Sequence, residues 1–285
     1  MIPSAHGIPQ EEKIISTRNL KFTYEGGVQA LHGLNLDIRH GDYVAIVGGN
    51  GSGKTTLAKT LNGLLKPTSG TVVVNGRPTS EQKVAALAKV VGYAFQNPDH
   101  QLFCSSVEDE VRFGPQNLGY SEQEVRQKVE RAIEAMNLDK LRSVAPLSLR
   151  LGERRRVSIA SVIAMDPQVL ILDEPTTGLD SGESLELMDR LKRLNGEGKT
   201  IILITHDMKV VAEHARRVIV MANGRMILDS DCRGVFSDLA ILGESSLEPP
   251  PVTKLAHRLA KHGISPDVVS AEELVVQLMK SGGGG

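Results

Sequence analysis

Lys54 and Thr55 close the run Gly48-Gly49-Asn50-Gly51-Ser52-Gly53-Lys54-Thr55, which fits the pattern G-x-x-x-x-G-K-[ST]. Residues of these types at this spacing hold phosphates. The glycines let the backbone curl until successive N–H groups and the next helix N-terminus face one anion. The lysine then neutralises the terminal phosphates, and the threonine hydroxyl offers Mg2+ a hard oxygen. A plain glycine-rich turn is the competing reading. The context speaks against it, because residues 43–47 read as a strand before the loop and 55–65 as a helix after it, with Thr56 in its first turn.

A second element has matching chemistry. Val169-Leu170-Ile171-Leu172-Asp173-Glu174 is four apolar residues ending in two carboxylates. A buried strand would deliver both acids to its carboxyl end, Asp173 to hold Mg2+ through water and Glu174 to polarise an attacking water. The pair could instead cap the following helix, since Pro175 and Thr176 come next. Gln96 and His206 each follow a strand-like run, at the strand ends where open α/β sheets bind ligands. Taken singly, each is equally a satisfied loop residue.

The elements that must position these groups alternate along the chain. Residues 14–20, 35–38, 43–47, 72–74, 90–94, 169–172, 200–204, 218–221 and 226–228 read as strands. The continuous apolar runs at 169–172 and 201–204 suit parallel strands buried on both faces. Ser121 and Glu124 form a possible capping box before Val125, Val129, Ala132, Ile133 and Met136 at helical spacing. That helix belongs to an insertion, and its apolar stripe reads as plain packing. Pro249 to Pro251 mark a linker. Beyond it Val252, Leu255, Ala256, Leu259 and Ala260 give an amphipathic stripe, and Ser270 to Glu273 caps a last short helix.

Composition bounds the function. The 285 residues carry a formal net charge of −1, no Trp, four Tyr and five Phe, so neither a basic footprint nor a stacking surface for nucleic acid is present. Cys104 and Cys232 stand far apart without metal-binding or disulfide spacing. No apolar run reaches the roughly 20 residues that span a bilayer, and residues 1–10 lack an apolar signal core, so any membrane role is expected to be peripheral.

With these motifs in order, the chain resembles the nucleotide-binding subunits of ATP-binding cassette transporters over nearly all of residues 14–228. The resemblance implies an α/β, P-loop NTPase fold with a mostly parallel core sheet, an antiparallel β subdomain, a helical subdomain and a small C-terminal helical extension. The expected divisions are 12–245 for the cassette (helical subdomain about 97–165), 246–280 for an extension that pairs two ATPases, and 281–285 for a flexible glycine tail. ATP and Mg2+ are the implied ligands. Carried over by position, Tyr24 looks like the aromatic that stacks on adenine, and Gln96 like the residue that senses Mg2+ and reports to the membrane subunits. Glu174 looks like the general base, Asp180 like the link between two sites across a dimer, and His206 like the switch on the γ-phosphate. Residues 95–103 with 107–111 and 113–119 look like the ATPase subunits of energy-coupling factor importers, which take up vitamins and cobalt or nickel ions. That group implies a second ATPase, a transmembrane coupling subunit, a substrate-binding membrane subunit, and a place on the cytoplasmic face of the membrane.

One departure stands out. The family pattern Leu-Ser-Gly-Gly-Gln, whose serine and helix N-terminus bind the γ-phosphate held by the opposite subunit, is here Leu149-Arg150-Leu151-Gly152-Glu153. Leu151 is expected to hinder close approach of phosphate, while Arg150 either supplies charge or blocks the site. The chain is therefore expected to donate a weakened half-site, and to pair with a different ATPase whose signature is intact. A soluble P-loop kinase and a non-transport cassette protein acting on ribosomes or DNA are the alternatives. No acceptor lid supports the first, and no second cassette or long coiled coil supports the second.

Overall fold

The computed structural model describes residues 12–282. Expectations about residues 1–10 and the last three glycines lie outside that range. In chain order the cassette begins with β1 Lys13–Thr23, β2 Gln29–Arg39, β3 Tyr43–Val47, α1 Lys54–Leu61, β4 Ser69–Val74, β5 Arg77–Pro78, α2 Val84–Ala88 and β6 Val91–Ala94. An inserted helical layer follows, α3 Val107–Asn117, α4 Glu122–Ala135 and α5 Leu151–Ala164. The chain then returns through β7 Val169–Asp173, α6 Ser181–Gly196, β8 Thr200–Thr205, α7 Met208–His214, β9 Arg217–Ala222 and β10 Arg225–Ser230. It ends with α8 Cys232–Ser237, α9 Leu239–Glu244, α10 Pro251–Leu259 and α11 Ala271–Gly282.

Two sheets form. One is antiparallel in the order β2-β1-β4-β5; the other runs β10-β9-β3-β8-β7-β6 and is parallel except at β10. Every residue of β3, β6, β7 and β8 is buried, as strands covered on both faces require. One apolar core fills the space between the two sheets around Leu57 and Leu61 of α1, and another lies between α3 to α6 and the opposite sheet face. α10 and α11 close a separate small core of Ala256, Ile264, Val268 and Leu274.

Local signals explain the elements and their limits. Ser121 and Glu124 make both hydrogen bonds of the expected box, and Val125, Val129, Ala132 and Ile133 are buried beneath α4. α1 is shorter than the predicted 55–65, because Gly63 takes the left-handed φ of 78° and Leu65 N–H turns back to Lys59 O at 2.9 Å, closing the helix after Leu61. Pro251 is the first residue of α10 and not part of the linker, in keeping with the fixed φ of proline at a helix start. The predicted tail at 281–285 is also corrected: α11 runs on through Gly282.

Candidate nucleotide site

Parallel register gathers the chemistry at one edge. Val47 lies opposite Thr205, Asp173 opposite Ile204, and Ala94 opposite Leu172, so the segments leaving β3, β6, β7 and β8 emerge side by side. A cleft of about 530 Å3 opens there. It is lined by Tyr24, by Asn50 to Thr56, and by Gln96, Asp173 and Glu174, with Ala30, His32 and Gly224 also on its lining; Ala30 and Gly224 lie against Gly53 of the loop.

The loop after β3 is built on backbone freedom. Gly48 has φ 155°, and a Cβ there would collide with Met221 O. The Lys54 ammonium lies inside the curl, donating to Gly48 O at 2.8 Å and Gly49 O at 2.9 Å, with Ser52 Oγ at 3.3 Å. Burial pulls the Lys54 pKa down, and the nearby charges of Glu174 and Asp173 oppose that pull. Gly53 caps α1, whose first-turn N–H groups open into the cleft.

The two acids of β7 have different surroundings. Asp173 is 2% exposed; its Oδ2 accepts from Thr55 Oγ1 at 2.9 Å and from the Tyr93 hydroxyl at 2.7 Å, while Oδ1 is buried with no partner. An orphaned carboxylate oxygen beside a threonine hydroxyl, in an all-oxygen donor set, fits Mg2+. Burial, and then the Asp173 charge, push the Tyr93 hydroxyl pKa far up, so Tyr93 remains a donor. Glu174 adopts the left-handed φ of 48°, with its N–H on Ile204 O at 2.8 Å. His206 Nδ1 donates to its Oε1 at 2.7 Å, and Thr177 Oγ1 reaches Oε2 at 3.4 Å. A buried, side-chain-held carboxylate in a sparsely populated backbone region is a common feature of catalytic positions.

Tyr24 stands at the rim, exposed, edge-on to Phe22, its hydroxyl 2.9 Å from Thr56 Oγ1. Gln96 is exposed on the cleft wall. Asp180 and the 150–153 run lie outside the cleft. Asp180 caps α6, accepting from Glu183 N at 2.8 Å. Arg150 precedes α5, with its N–H on Glu153 Oε2 at 3.0 Å, and Gly152 packs against the Glu183 carboxylate. The Leu151 side chain does not face outward as an obstacle would. It leans onto Gly178 of its own chain, where a Cβ would lie 2.6 Å from Leu151 Cδ2.

Sequence reasoning missed Tyr93 and Arg155. Arg155 is buried on α5 and donates to Phe95 O at 3.1 Å, to Gln96 O, and to Thr177 O at 3.4 Å. Tyr93 was detectable in principle, since β6 pairs beside β7 and puts it near the acids. Nothing in the spacing marks Arg155.

The ABC transporter family model matches residues 31–177. The chain is 41% identical over 261 residues to the energy-coupling factor transporter ATP-binding protein EcfA of Methanoculleus marisnigri, covering 91% of this chain and 94% of that protein. It is 46% identical over 262 residues to an ABC transporter ATP-binding protein of Caldanaerobacter subterraneus, covering 92% of this chain but only 45% of that relative. Among solved structures, CbiO1 of Clostridium perfringens, part of the ABC transporter complex CbiONQ, superposes with a TM-score of 0.75 at 38% identity, over 89% of this chain and 98% of that one. With its phosphate loop, its acid pair and its two-sheet architecture, the chain belongs to the ABC transporter family.

Proposed function

We propose that the chain binds and hydrolyses MgATP as the ATPase subunit of an energy-coupling factor type importer for a vitamin or a transition-metal ion. The observation that carries the reading is the convergence at one strand edge of Lys54, Thr55, Asp173, Glu174 and His206. Lys54 and the N–H groups of residues 50–55 would hold the phosphates, and Thr55 with Asp173 would hold Mg2+, which would supply neutralising charge to the phosphate chain. Glu174 accepts hydrogen from the attacking water, and His206 fixes the orientation of that carboxylate. The γ-phosphoryl group passes to water with ADP as leaving group, so catalysis is positioning and charge stabilisation. Tyr24 supplies a face for the base.

The transport partners are inferred from surface features. Phe103 and Phe113 are 62% and 47% exposed and pack edge to face at 4.8 Å, close in sequence to Gln96. Such an aromatic pair suits apolar helices of a transmembrane coupling subunit, which would put the chain on the cytoplasmic face of a membrane as a peripheral subunit. No helix among the described residues is long and apolar enough to cross a bilayer. In this reading residues 12–245 are the cassette, 97–165 its helical part, and 246–280 an extension pairing two ATPases through the exposed Val275, Val276 and Met279. Asp180 and Arg150 then serve a site completed by a second ATPase, and the altered signature favours a different chain as that partner.

Two measurements test the proposal: phosphate release from MgATP by the purified chain with its partners, and identification of proteins that co-purify with it from detergent-solubilised membranes. Recovery of a second ATPase with a multi-spanning subunit supports the importer. Recovery with ribosomes, or phosphate transfer to an added metabolite, refutes it.

A further inference from the structure

We propose that α5 holds the loop after Glu174 and the Gln96 segment in one register through Arg155 and Leu151, making Arg155 a positioning residue for hydrolysis. The inference rests on the ATPase reading above. Arg155 is 3% exposed, yet it makes no ion pair among the described residues. Its three acceptors are main-chain carbonyls on two segments: Phe95 and Gln96 after β6, and Thr177 three residues past Glu174. Thr177 in turn reaches Glu174 Oε2. Burial lowers the pKa of this guanidinium, with Asp173 and then Glu174 opposing, and its Nε has no partner. An apolar side chain would fill the same space without that desolvation cost. What it could not do is span both segments with one rigid fork of donors.

Two further contacts act in the same direction. Leu151 lies one turn before Arg155 on the same helix face and rests on Gly178, so α5 grips the 174–180 loop at two adjacent residues. Gln101 fastens the other segment. It donates to Ser158 O at 2.8 Å and Ser161 Oγ at 2.9 Å on α5, while its Oε1 accepts from Ser158 Oγ at 2.8 Å and Phe95 N at 3.4 Å. The leucine that departs from the family pattern thus has a task within its own subunit. Rotation of α5 must carry the Glu174 loop and Gln96 together.

The test compares Arg155→Gln and Arg155→Lys with wild type in the full chain, its partner ATPase retained, measuring kcat for MgATP and affinity for a fluorescent ATP. Arg155→Gln is expected to lower kcat roughly ten-fold with affinity within about two-fold, and Arg155→Lys, which keeps charge without the fork, to recover only part. Wild-type kcat in Arg155→Gln, or equal loss of kcat and affinity, overturns the inference. Should Arg155→Gln not fold, Leu151→Ala decides: reduced kcat at unchanged affinity supports the grip, and unchanged kcat overturns it. A wild-type chain that hydrolyses no ATP sinks the ATPase reading itself, whereas turnover that ignores these substitutions sinks only this one.

Discussion

Asp173 carries two hydrogen bonds on one carboxylate oxygen and none on the other, whereas Glu174, its neighbour in sequence, is held by a histidine and two threonines. That division of surroundings is consistent with the different roles proposed for them: the first keeps an unpartnered oxygen for a cation, and the second lines the cleft beside the phosphate loop. Glu174→Gln should keep fluorescent-ATP affinity and lose at least about 100-fold in phosphate release, the range for removal of a general base. Undiminished release would remove Glu174 from that role. Tyr93→Phe deletes a buried donor to a carboxylate and should cost about 1–3 kcal/mol in urea unfolding, with the midpoint falling at an unchanged slope.

Between the helical layer and the parallel sheet, one joint is electrostatic. Asp166, at φ 57° in the turn from α5 to β7, accepts from Lys199 at 2.6 Å and Lys128 at 2.9 Å, tying the start of β8 to α4. Burial alone would raise its pKa, but the two lysines outweigh that and hold it low. A depressed carboxylate stabilises the fold at pH above its unfolded value of about 3.9, and that contribution disappears as pH falls through the folded value. Asp166→Asn keeps a residue that tolerates the left-handed backbone. Its side chain is half exposed, so the loss should be at most about 1 kcal/mol at pH 7. Thermal unfolding of the two proteins should differ at pH 7, and the gap should shrink as pH falls through the folded value of Asp166; a gap that persists in strong acid would assign the effect to packing.

At the scale of the whole molecule, the exposed Phe103 and Phe113 lie just before and within α3 of the helical layer, whereas Gln96, the phosphate loop and the acid pair line the cleft at the strand ends. Phe103→Ala with Phe113→Ala should leave the melting temperature within about 2 °C, as surface changes do. It should also abolish co-purification with a membrane subunit; full recovery of that subunit would displace the docking surface from this face. The sequence alone determined the phosphate loop, the acid pair and the run of parallel strands, because each is written in contiguous residues with a fixed local consequence: glycine freedom, apolar continuity, a strand that ends in acids. It also determined that Leu149 to Glu153 departs from the family pattern. Only tertiary structure decided which way Leu151 turns, that Tyr93 completes the Asp173 site, and that Arg155 joins Gln96 to Thr177. Those contacts bridge segments roughly 20 to 80 residues apart, and neither periodicity nor spacing records which side chain will meet which carbonyl once the sheet and the inserted helices close.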